Sequence, residues 1–87
     1  MKFSFTMNCP TRTVKDGLQN LVHQVIGEID DGDCTIENER ELLSHMEERR
    51  FISVAEFYKG KLGDLVFSRI TLLNTDHVAK ASEYVDD

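Results

Sequence analysis

The side chains equipped for metal binding or nucleophilic catalysis are few: Cys9, Cys34, His23, His45 and His77. No two of them have a ligand spacing such as C-x2-C or H-x3-H, so the sequence predicts no metal site. A catalytic thiol needs a neighbouring base and an orienting group. Neither cysteine has a recognisable catalytic context, and there is no G-x-S-x-G. The glycines of Gly60-Lys61-Leu62-Gly63 lack the phosphate-cradling G-x4-G-K pattern and lie between predicted strands. The expectation is a non-enzymatic chain with no cofactor.

Two other groups could do binding chemistry. Tyr58, Lys59 and Lys61, with Arg69 near them, could stack a base and touch a phosphate. Against this stands a formal net charge of -6, which repels a nucleic-acid backbone at long range. The second group is the acidic one. Residues 28–48 hold nine carboxylates and one base, Arg40, so -8 falls in one segment. Residues 1–27 sum to +2 and residues 49–87 to 0. On a helix, Glu37, Glu41 and Glu48 share one face, opposite Leu43 and Met46. Asp30, Asp31 and Asp33 would extend that surface. Five Glu over a helix of about 20 Å give one charge per ~4 Å, against one per ~1.7 Å in duplex DNA. The helix alone is a dilute nucleic-acid mimic.

These residues need elements to position them. The chain has 87 residues, 40% hydrophobic and 30% charged, which suits one soluble domain spanning 1–87. Phe3, Phe5, Met7 and Cys9 alternate with polar residues, so residues 2–9 read as a strand that Pro10 stops. Thr13 to Asp16 resembles a capping box. Val14, Leu18, Leu21, Val22, Val25, Ile26 and Ile29 recur at helical spacing within an arc of roughly 140°, predicting an amphipathic helix. Its outward face would carry Gln19, Asn20, His23 and Gln24. Asp30 to Asp33 reads as a turn. Thr35 or Asp33 would cap a second helix running to about Arg49, with Ile36, Leu42, Leu43 and Met46 inward and His45 near solvent.

Residues 51–59 and 64–73 read as a hairpin, although Ser53 to Glu56 also fits a helix cap. Asn74 or Thr75 would cap a last helix carrying Val78, Ala81 and Val85. The predicted fold is α+β in the order β-α-α-β-β-α. It has a three-stranded, mostly antiparallel sheet with helices packed on one face. The other face would then need cover, and Phe51 and Phe57 point to pairing with a second copy.

The N-terminus has no apolar leader and no segment is long enough to span a membrane, so the expected setting is cytoplasmic. With Cys9 and Cys34 25 positions apart and no export signal, no disulfide is expected. The leading functional expectation is an acidic, protein-binding inhibitor or regulator of the phage-inhibitor, immunity-protein or antitoxin kind. It would present Asp30, Asp31, Asp33, Glu37, Glu41 and Glu48 to a basic, nucleic-acid-binding site on a partner protein. The alternatives are a homodimeric module whose acidic helix only solubilises, a small nucleic-acid-binding module using the 58–61 tip, and a small enzyme or metal protein.

Overall fold

The computed structural model describes residues 1–13, 17–32 and 35–85, and for 10–13 and 17–21 the backbone alone. The strands are β1 (Lys2–Thr13), β2 (Gly17–Ile29), β3 (Phe51–Lys59), β4 (Leu65–Asn74) and β5 (Val78–Glu83). Among the described residues one α-helix, α1 (Glu39–Glu47), lies between β2 and β3, and a 3-10 turn, Thr75–His77, precedes β5. The strands form one five-stranded sheet in the order β4-β3-β2-β1-β5, with every pairing antiparallel. This overturns the predicted three-stranded sheet with several helices.

Three elements follow the sequence pattern. In β1, Phe3, Phe5 and Met7 are buried while Ser4 and Thr6 are half-exposed. The hairpin of β3 and β4 forms as expected, closed by a loop in which Gly63 takes φ +86°. A side chain there would be strained. Helix α1 also forms, but its cap is Asn38, not Thr35, and Asp33 lies outside the described residues. The Asn38 side chain accepts from Glu41 N–H at 2.9 Å, and the Glu41 carboxylate accepts from Glu37 N–H at 3.0 Å. Two otherwise unpaired N-terminal donors are thereby satisfied.

The predicted first helix is instead β2. Its helical stripe mixes positions of opposite parity, Val22 and Ile26 against Val25 and Ile29. In a strand, even and odd positions go to opposite faces. Val25 is buried and Ile29 packs on the core, while Val22 is exposed on the other side. The β-branched Val and Ile favour the strand, and β1 supplies a twelve-pair partner from Lys2↔Glu28 to Thr13↔Gly17. Gly27, a liability in a helix, is needed here: a Cβ would sit 3.2 Å from Val54 Cβ. Pro10 does not end β1. Pairing with β5 stops at Met7, so beyond it β1 bonds to β2 alone and a missing N–H donor is tolerated. The proposed cap at Thr13 falls in β1, and Val14 to Asp16 lie outside the described residues.

The predicted last helix is also replaced. Asn74 does cap, accepting from Asp76 N–H at 2.9 Å, but only for one 3-10 turn. Val78–Glu83 then pairs with β1. A helix bearing two valines and an alanine would bury little, whereas the strand gains a ladder along β1.

Helix α1 covers one face of the sheet, here the inner face. Phe3, Phe5, Val25, Ile52, Val54 and Leu73 meet Leu42 and Ile36 there. Leu43, expected inward, is 57% exposed. Among the described residues no helix is long and apolar enough to cross a membrane.

Candidate functional site

The six predicted acidic residues do not form one surface. Asp31 turns inward: one carboxylate oxygen lies 2.5 Å from His45 Nε2, and the other accepts from Ser53 N–H at 3.3 Å. His45, expected near solvent, is 5% exposed. This pair ties α1 to the β2–α1 turn and to β3, so Asp31 is part of the frame. Asp30 is exposed, and its N–H donates to Ser53 C=O at 2.8 Å. Asp33 lies outside the described residues. Glu37 and Glu41 are exposed, and Glu41 is occupied in the cap. Glu48, the C-cap, lies 3.7 Å from Arg49 Nη1.

Glu41 and Glu48 also border a shallow concavity with Arg40 and Arg49. From Glu37 to Arg50 the chain holds five Glu and three Arg, a net -2. Acids gather at the positive end of α1 and arginines at its negative end, which complements the helix dipole. Glu28, counted in the acidic segment, lies 3.6 Å from the N-terminal amine and 3.7 Å from Lys2. What remains open is the N-terminal end of the helix: among the described residues, Asp30, Glu37, Glu39 and Glu41 meet no cation at ion-pair distance.

The hairpin tip is likewise dispersed. Tyr58 and Lys59 are exposed but successive along β3, so they leave opposite faces. Arg69 does not join them: its Nε donates to the Glu56 carboxylate at 3.1 Å.

The fold does assemble one group that spacing concealed. Cys9, His23 and His77 line a groove of about 360 Å³ on the inner face, with Met7, Val25 and Glu56. His23 stands directly across from Met7, and Val78, next to His77, pairs with Met7 on its other side. No hydrogen bond links Cys9 to either ring, and no group of three ligating side chains suited to a metal occurs among the described residues.

The outer face carries a surface of another kind. By register, Phe51, Ser53, Ala55 and Phe57 of β3 lie beside Asn74, Leu72, Ile70 and Phe67 of β4. Phe67 and Ile70 share this face, although three apart, because the β3–β4 register shifts there and Ser68 is extra. Such a bulge resets the two-residue alternation. Ile26 adjoins through its pairing with Phe57. Phe57 and Phe67 meet edge-on with centroids 6.0 Å apart. Phe51, Phe67, Ile70 and Leu72 are exposed by 50, 53, 51 and 67%. Not one of these eight residues is ionisable, in a chain that is 30% charged; the next pair on the same face, Lys59↔Leu65, brings one lysine at the loop end. At the rim, Lys2 Nζ sits 4.8 Å from the Phe57 centroid. Phe51 and Phe57 signalled this surface in the sequence. Ile70 and Leu72 were hidden, since which face they take depends on the bulge.

No protein-family model matches the chain, and neither the curated proteins nor the solved structures include a significant match to it.

Proposed function

We propose that this chain is a non-enzymatic protein-binding module whose docking surface is the largely apolar outer face of β3 and β4. The observation that carries this reading is the row Phe67, Ile70 and Leu72, each at least half exposed beside Phe57. These side chains amount to an apolar patch on the order of 400 Å², the size at which exposed patches on soluble proteins mark contact sites. An apolar centre with a polar rim, here Ser53, Asn74 and the Lys2–Glu28 pair, is the anatomy of a protein interface. Function would then be occlusion or assembly by surface contact. The test is capture of proteins, the chain's own copies included, by immobilised wild type and by Ile70→Lys/Leu72→Lys. Capture that disappears in the variant supports the reading, and unchanged capture sinks it.

A second reading rests on the open carboxylates Asp30, Glu37 and Glu39. As an acidic inhibitor or regulator, the chain would steer this end of α1 onto a basic site of its partner. The patch is smaller than the sequence suggested, because Asp31, Glu28 and Glu48 are engaged elsewhere. Glu37→Gln/Glu39→Gln leaves the Asn38–Glu41 cap in place and isolates the charge. Partner binding that weakens steeply with salt in wild type, and less so in this variant, is the expected result. Equal salt dependence in the two proteins ends the acidic reading.

A further inference from the structure

We infer that the occupant of the outer face is a second copy of this chain, packed face to face about a two-fold axis. The inference rests on the docking surface proposed above and names its partner.

Three observations lead to it. The first is the absence of charge at the centre of the face. In a two-fold interface each residue near the axis meets its own kind, so an ionisable group there faces a like charge. From Phe51 to Phe57 the β3–β4 half-face carries only Phe, Ile, Leu, Ala, Ser and Asn, and Lys59, of the same face, stands at the loop end away from this centre. The molecule as a whole carries -6, so the centre of this face is a place where two copies can approach without facing like charges.

The second is area. The chain exposes 6281 Å². A compact monomer of 10.0 kDa is expected to expose about 5,200 Å². The surplus, roughly 1,000 Å², matches the ~800 Å² that each partner buries in a standard interface. The outer face contributes the exposed Phe51, Phe67, Ile70 and Leu72 to this surface.

The third concerns geometry. β4 is an edge strand of ten residues, which could extend the sheet through its backbone. Its register shift at Ser68 and the exposed Arg69 interrupt that edge at mid-length. Both are devices that discourage edge pairing. The same bulge brings Phe67 and Ile70 to one face, so it closes the edge and builds the face together. Contact through side chains, sheet over sheet, is the arrangement left open.

Sedimentation velocity and native mass spectrometry of the full chain over a concentration series test this. The expected result is a species of roughly 20 kDa, two chains of 10.0 kDa. Ile70→Lys/Leu72→Lys should weaken the dimer by about 100-fold or more, since central apolar anchors dominate such interfaces. Leu62→Lys, on the β3–β4 loop and 92% exposed, should leave it unchanged. Circular dichroism checks that the variants keep the fold. A wild type that stays monomeric at 0.1–1 mM (about the weakest range for a specific pair), or a dimer that survives the double substitution, overturns the inference. A monomeric wild type that still captures another protein, and loses it on Ile70→Lys/Leu72→Lys, overturns the second copy and leaves the docking surface standing. A monomer with no face-dependent capture overturns both.

Discussion

The two faces of this sheet are built from similar residue types and have opposite fates. On the inner face, Phe3, Phe5, Ile52 and Val54 are fully buried beneath α1 and its approach. On the outer face, Phe51, Phe67, Ile70 and Leu72 are each at least half exposed. Neighbours along β3 make the contrast sharp, because Phe51 and Ile52 are adjacent and differ only in the side from which they leave the strand. Apolar character alone therefore does not make a core. The cover makes it, and the cover here is a nine-residue helix held by a cap and by the Asp31–His45 pair. The outer face of β3 and β4 has similar chemistry, and no described element of its own chain covers it.

The most direct way to break this comparison is to truncate one phenylalanine on each side. Phe5→Ala should cost about 3–5 kcal/mol, the usual range for a buried Phe. Phe67→Ala should cost less than about 1 kcal/mol in the monomer. Urea denaturation at low protein concentration measures both, and equal losses would mean the faces are not distinct. A second test acts on the cover. His45→Ala leaves the half-buried Asp31 carboxylate with the Ser53 N–H but without its imidazole partner and should cost about 1–3 kcal/mol. Increased binding of a hydrophobic dye would confirm that the inner face opens when the tether goes. Gly27→Ala places a Cβ 3.2 Å from Val54 Cβ on that face. It should cost about 1–2 kcal/mol through overpacking, read as a lower urea midpoint. Asn38→Ala removes the α1 cap and should cost ~1 kcal/mol, measured in the same way. At the small end, Leu72→Thr should leave monomer stability within about 0.5 kcal/mol. If it instead destabilises strongly, Leu72 is packed by its own chain and the outer face is not free.

Much of this was open to reading from the chain. The alternation Phe3, Phe5, Met7 marked β1 because one side of that strand is wholly apolar. The Gly60–Gly63 segment between two β-rich runs marked the hairpin. The second helix was legible from Leu42 and Met46, and its true cap was visible in Asn38-Glu39-Arg40-Glu41, the capping-box pattern. The helical period over residues 17–29 misleads for a definite reason. A strand buried partly on one face and exposed as Val22 on the other can place its apolar residues at helical intervals. Only the neighbouring strand decides between the two periods. The acidic surface was overcounted because sequence proximity ignores who neutralises whom. Asp31 meets His45 fourteen positions away, and Glu28 meets the N-terminus across the sheet.

By itself the sequence determined the local matters: the alternating first strand, the hairpin and one amphipathic helix. These depend on residue type and on neighbours a few positions away, where the backbone repeats impose a readable period. The tertiary structure decided β2, β5, the inward turn of Asp31 and His45, and the meeting of Phe67, Ile70 and Leu72 on one face. Each of those depends on pairing between distant strands, where a single bulged residue moves a side chain from one face of a sheet to the other.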